Sequence, residues 1–261
     1  MATLPNPLPA LATDPSGREA GLDLPPGRLV DETIDGTWHE PLLWYADEPA
    51  APGAWAGMLS ARRTAGLHPL LVHGGHRKEW PESWDLSPES VSYPGDHDAE
   101  DVLAEMWEGL EDDEWPGPAA APAGSSADPD KEAAEVASIL TDEGSWMHGA
   151  RLALVPARRS ADIPAAIGWT GPVNHEDDVA RLSAVLRSWE DRFGIRVVGL
   201  TFDQLVVSVA APPTTQEEAE ALAAEHFAFC PDNIQQGRHT TLSAYAAHQV
   251  LGQPAWTFWW D

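Results

Sequence analysis

The sequence predicts an α+β protein, and three observations carry that reading. Strand-length apolar runs alternate with segments whose apolar residues recur every three or four positions. In the second half these elements follow the order β-α-β-β-α-(α)-β. A Pro/Ala/Gly/Ser-rich stretch at 116–130 separates that half from a smaller, acidic α/β portion.

Residues 1–26 hold Pro5, Pro7, Pro9, Pro15, Pro25 and Pro26 without apolar periodicity, which predicts a disordered, mobile tail. Residues 27–115 read as a small acidic α/β unit. Within it, Pro41 to Tyr45 is a buried strand and Pro52 opens a helix with Trp55, Met58 and Leu59 on one face. Gly66 ends that helix, and Leu70-Leu71-Val72 is a second strand. Over 96–114, Ala99, Val102, Leu103, Met106, Trp107 and Leu110 repeat at helical spacing, with Asp96 or Asp98 as cap. The same stretch carries ten acids and no Lys or Arg. Like charges one turn apart cost about 0.2–0.5 kcal/mol per pair, so docking of the Trp107 face has to hold this helix. Residues 116–130 follow as a flexible linker.

Residues 131–261 predict one compact domain. A helix covers Lys131 to Leu140, and Leu152-Ala153-Leu154-Val155 is a strand. Asn174 caps a helix lined by Val179, Leu182, Leu186, Trp189 and Phe193, which Gly194 closes. Ile195 to Leu200 and Leu205 to Ala210 form a hairpin turning near Phe202-Asp203, and Pro212-Pro213 break the second strand. Thr214-x-x-Glu217 is a capping box for a helix running to Cys230. A helix over Thr241 to Val250 and a strand over Trp256 to Trp260 complete the order. This is the split β-α-β-β-α-β pattern of ferredoxin-like folds, with an antiparallel sheet and helices on one face.

Charge restricts the partners. The chain has 42 Asp+Glu against 15 Lys+Arg, and residues 1–150 alone hold 29 acids against 7 bases. Such a surface repels phosphate backbones and anionic lipid, so neither nucleic acid nor membrane is expected. A basic protein partner is electrostatically favoured. One cysteine leaves no internal disulfide and fits a reducing compartment. No apolar run reaches membrane-spanning length and no secretory leader pattern opens the sequence, so a cytoplasmic location is expected. Phosphate-loop, nucleophile-elbow and His-Glu-x-x-His motifs do not occur.

Three motifs, Leu186-Arg187-Ser188-Trp189-Glu190-Asp191-Arg192-Phe193-Gly194, Glu225 to Asn233, and Trp256-Thr257-Phe258-Trp259-Trp260-Asp261, appear in sequence order. Together they make about the last 110 residues resemble the bacterial family called domain of unknown function 4253. The resemblance implies a domain boundary and carries no activity, cofactor or catalytic residue.

The candidate polar cluster is Glu225, His226, Cys230, Asp232 and Asn233, because the only cysteine follows a histidine by one helical turn there. A thiol nucleophile with His226 as base is one reading, opposed by the negative end of the helix dipole at Cys230. A metal site from His226, Cys230 and Asp232, with His239 nearby, is a second, although its spacing matches no established ligand pattern. In the third, His226 is a satisfied core histidine, Cys230 a small buried hydrophobe, and Asp232-Asn233 the turn after Pro231. His68, His73 and His76 are another histidine cluster. Arg187 and Asp191 stand at ion-pair spacing on one helix. In the terminal strand, Trp256, Phe258 and Trp260 project to one side as a candidate binding surface, with Trp259 opposite. The reading that results is a non-catalytic, Trp-rich acidic interaction module without cofactor, binding or neutralising a basic protein. Its alternative is a metal-dependent enzyme centred on His226, Cys230 and Asp232.

Overall fold

The structure is a computed structural model and describes residues 6–108, 114–122 and 127–261. The chain forms β1 (Gly27–Val30), a small ribbon of β2 (Glu32–Thr33) and β3 (Gly36–Thr37), and β4 (Leu43–Ala46). Short helices α1 (Ala54–Gly57) and α2 (Ala61–Ala65) lead to β5 (Leu67–Val72). Then come α3 (Ala99–Glu108), α4 (Pro129–Thr141), β6 (Arg151–Pro156), α5 (Ile163–Ile167) and α6 (Val179–Phe193). The hairpin β7 (Arg196–Leu200) and β8 (Gln204–Ser208) precedes α7 (Gln216–Phe229) and α8 (Asp232–Gln235). Helix α9 (Leu242–Tyr245) runs into a π-helical turn, Ala246–Val250, and β9 (Ala255–Trp259) ends the order.

Local chemistry sets the helix starts. Asp128 accepts from the Asp130 N–H before α4, and Asp178 from the Ala180 N–H before α6. Asp178, rather than Asn174, therefore caps α6. The capping box of α7 also lies one residue beyond its expected place: Thr215 accepts from the Glu218 N–H, and Glu218 accepts from Thr215. Tandem threonines and glutamates permit either register, and Glu218 accepts from both Thr214 and Thr215.

Seven strands make one mixed sheet in the order β1-β4-β6-β5-β7-β8-β9. Every neighbouring pair is antiparallel except β5 and β7. Pro69 withholds an N–H in β5, and the parallel ladder to β7 is confined to Leu71 and Val72. Helices cover both faces. One core joins Tyr45, Leu70, Val155, Val197, Val207 and Phe258 to residues of α3, α5, α6 and α7. The other joins Trp44, Leu71, Leu154, Val198 and Val206 to α4 and to Trp55 of α1. Double coverage explains why every residue of β4 and β5 is buried: a strand with two covered faces has no polar side.

This architecture is mixed α/β, and it corrects the expected arrangement in three respects. A split β-α-β-β-α-β unit would be antiparallel with helices on one face, whereas here β5 enters between β6 and β7 and both faces are packed. The sheet also crosses the expected boundary at 116–130, since β4 and β5 flank β6. Ala153 and Val155 of β6 belong to one core, Leu152 and Leu154 to the other, so this strand needs an interior position. Finally, the segment expected as a mobile tail is packed from Asn6 onward. Leu8, Leu11, Leu22 and Leu24 are buried, and Asn6 Nδ2 donates to Pro41 O at 2.8 Å. Residues 1–5 of that tail, Leu110 of the acidic helix and 123–126 of the linker lie outside the described residues.

One continuous sheet predicts one unfolding unit. A fragment spanning residues 131–261 lacks the strands on both edges of β6. Scanning calorimetry should show no cooperative transition for it, while the full chain melts in a single one; a fragment melting cooperatively at the full-chain temperature would contradict the topology.

Candidate functional site

Helix α7 presents its buried residues to two environments. On one, Glu225 is fully buried with both carboxylate oxygens satisfied. Oε1 accepts from the Ala119 N–H and from an Arg192 NH at 2.7 Å each. Oε2 accepts from the second Arg192 NH at 2.6 Å and from Trp189 Nε1 at 2.7 Å. Arg192 also donates to Ala119 O at 2.7 Å and to Ser188 Oγ at 3.1 Å. The expected linker is therefore pinned at Ala119, through its backbone, to a carboxylate 106 residues away. Such a buried pair is stabilising only when its charges are well hydrogen-bonded, and here Glu225 accepts four bonds while Arg192 donates four.

On the other, His226 is buried among rings: Trp189, Trp256 and Phe258 lie 5.0, 4.7 and 4.9 Å from it, centroid to centroid. Its Nδ1 lies 3.1 Å from Tyr245 Oη, while Nε2 has no hydrogen-bond partner among the described residues. Burial, with a smaller contribution from Arg192, pushes the imidazole down from 6.5 to about 3, so it is neutral at physiological pH. Burial likewise pushes the Cys230 thiol far up. Its S–H donates to Trp259 O at 3.0 Å. The thiol is thus held protonated, its unreactive form, and the imidazole is neutral and only weakly basic.

The turn after Pro231 is a clip on β9. Asn233 Nδ2 donates to Thr257 O at 2.7 Å and to Tyr245 Oη at 3.2 Å, and Asn233 Oδ1 accepts from the Trp259 N–H at 3.2 Å. Asp232 Oδ2 accepts from the Asp261 N–H at 3.1 Å. Backbone groups of the edge strand that would otherwise stay open are occupied by these side chains and by the thiol.

The remaining expected residues separate. His239 stacks on His248. His68 is buried in β5 with its imidazole pushed down to about 4 by burial and by Arg62 and Arg196, whereas His76 is exposed. Among the described residues no group of three His, Cys, Asp or Glu is placed to hold a metal ion. Arg187 pairs with Asp162 rather than Asp191, which pairs with Arg159. Trp256, Phe258 and Trp260 do share a side, but that side is the α6/α7 core and all three are buried. Phe258 stacks on Trp189 at 5.5 Å, so the expected binding surface is interior.

Two clefts flank β5. One of about 490 Å³ is lined by Trp38, Val91, Tyr93 and Ala165, with the Asp162–Arg187 pair. The other, of about 370 Å³, lies beyond the carboxyl ends of β5, β7 and β9. Sequence reasoning missed the second because its residues come from loops after three strands that are distant in sequence.

Fold and cluster together define a mixed α/β protein whose polar motif secures a core. The C-terminal part, residues 151–261, matches the family described as Domain of unknown function (DUF4253). The match contains Trp189, Arg192, Glu225, His226, Cys230 and Asn233. Comparison with curated proteins and with solved structures returns no match.

The buried neutral imidazole makes stability pH-dependent. Between pH 6.5 and 3 the unfolded chain binds a proton at this histidine and the folded chain does not. Its contribution is therefore complete above pH 6.5 and is lost as pH falls. Denaturant titrations at pH 7 and pH 5 should show that His226→Gln removes about 2 kcal/mol of the acid-induced loss of stability seen in the parent. Equal losses in the two proteins would contradict the assignment.

Proposed function

We propose that this protein is a non-catalytic, acidic interaction module that binds a basic protein partner. The supporting observation is how charge is distributed between interior and surface. Arg62, Arg159, Arg181, Arg187, Arg192 and Arg196 are all engaged in ion pairs with the protein's own carboxylates. Acids at the start of α3 are treated differently: Asp96, Asp98, Glu100 and Asp101 are exposed and enter no ion pair with Lys or Arg among the described residues, whereas Glu105, further along, pairs with Arg181. The docked face of α3, with Val102, Leu103, Met106 and Trp107 buried, holds that acidic surface in a fixed place. A formal net charge of −27 steers cationic partners and repels nucleic acid and anionic lipid. The unpaired, buried Cys230 fits a cytoplasmic setting.

Binding driven this way is salt-sensitive. Proteins captured by the immobilised full chain at about 50 mM salt should be predominantly basic and should elute by about 500 mM, where exposed charges are screened within a few ångströms. Neutralising Glu100 and Asp101 together, as Glu100→Gln with Asp101→Asn, should weaken capture of an identified partner several-fold without lowering the melting temperature. Capture of acidic proteins, or retention indifferent to salt and to both substitutions, would contradict this reading.

A further inference from the structure

We propose that the cleft beyond the carboxyl ends of β5, β7 and β9 receives an arginine side chain of the basic partner; this rests on the reading above and names where that partner is recognised. Four carboxylates line it: Glu79, Asp85, Asp203 and Asp261. Glu79, Asp85 and Asp261 form no ion pair among the described residues, and the one ion-pair contact of Asp203 there is with His76, at 3.8 Å. The cleft's own cation, Arg77, lies within it: its guanidinium is 4.6 Å over the Phe202 ring and forms no ion pair among the described residues. Negative charge in the cleft therefore exceeds positive charge.

Aromatic groups decide which cation fits. Phe202 shows that a planar guanidinium stacks in this cleft. Trp259, half-buried on β9, supplies a second large ring facing the same space. A guanidinium stacks on an aromatic face and presents a fork of donors to carboxylates, which an ammonium does not match. The walls are fixed. Trp260 N–H donates to Asp203 O at 3.1 Å, Thr201 Oγ1 donates to Asp203 Oδ1 at 2.8 Å, and Asn174 Nδ2 donates to Asp261 O at 2.7 Å. The cleft lies beyond the carboxyl ends of β5 and β7, which run parallel to each other. No such placement holds for the cleft at the Asp162–Arg187 pair, where the acid is already bound to a guanidinium.

The test is a two-dimensional NMR titration of the full chain with N-acetyl-arginine amide, and with the neutral citrulline counterpart. Arginine should shift the Trp259 indole and the amides of residues 202–204, and citrulline should not. Glu79, whose side chain forms no hydrogen bond or ion pair among the described residues, gives a clean variant: Glu79→Gln should weaken arginine binding about three- to fivefold at unchanged melting temperature. Trp259→Ala is the second variant and should abolish the shifts. Shifts elsewhere, equal response to citrulline, or unaltered affinity in Glu79→Gln would overturn the proposal. The two readings fail separately. If an identified basic partner binds Glu79→Gln and Trp259→Ala as well as the parent, the cleft assignment is wrong and the module stands. If arginine titrates into the cleft while no basic partner is captured, the module is wrong and the cleft stands.

Discussion

The buried carboxylate of Glu225 is the constraint on which the rest of the structure depends. It receives four hydrogen bonds from three separate places: the guanidinium of Arg192, the indole of Trp189 and the backbone of Ala119. A charge taken out of water without such partners would cost several kcal/mol, so the geometry leaves little freedom to any of the three. Arg192 and Trp189 orient α6 against α7. Ala119 ties the chain between α3 and α4 to the same point. Trp115, four residues earlier, packs against Trp107 of α3, which packs edge-on to Phe227 of α7. One ion pair thus aligns the helical layer over the sheet.

Across that layer the same Trp189 ring reaches the other half of the cluster. It lies against His226, Phe229, Trp256 and Phe258, so the residue that donates to Glu225 also forms the centre of the aromatic core. The clip formed by Cys230, Asp232 and Asn233 then fixes β9, which carries two of those rings. Acid–base chemistry is sacrificed in the process. An imidazole held neutral and a thiol held protonated suit a core better than a reacting centre.

Much of this was legible where the signal is local. The periodicity of Val179, Leu182, Leu186, Trp189 and Phe193 marks α6, short apolar runs mark β7 and β8, alternating rings mark β9, and Gly194 with φ of 63° marks the end of α6. Strand order was not legible, because the insertion of β5 between β6 and β7 is decided by burial of two apolar faces, which no single segment encodes. The N-terminal segment was misread because Leu8, Leu11, Leu22 and Leu24 sit around short 3₁₀ turns and show no helical or strand period. The anchored strap at Ala119 escapes sequence reasoning altogether, since its two hydrogen bonds are made by backbone atoms. The cluster from Glu225 to Asn233 was found from its composition, yet its structural role depends on Arg192, Tyr245 and Thr257, none adjacent in sequence.

A double-mutant cycle on Arg192 and Glu225 tests the central claim most directly. In equilibrium denaturation of the full chain, Arg192→Met and Glu225→Met should each cost about 3–5 kcal/mol, because each leaves a buried charged or polar partner unsatisfied. The double variant should cost much less than the sum, since no unpaired charge then remains buried. Single costs under about 1 kcal/mol that simply add would contradict the account and reduce the pair to an ordinary surface contact.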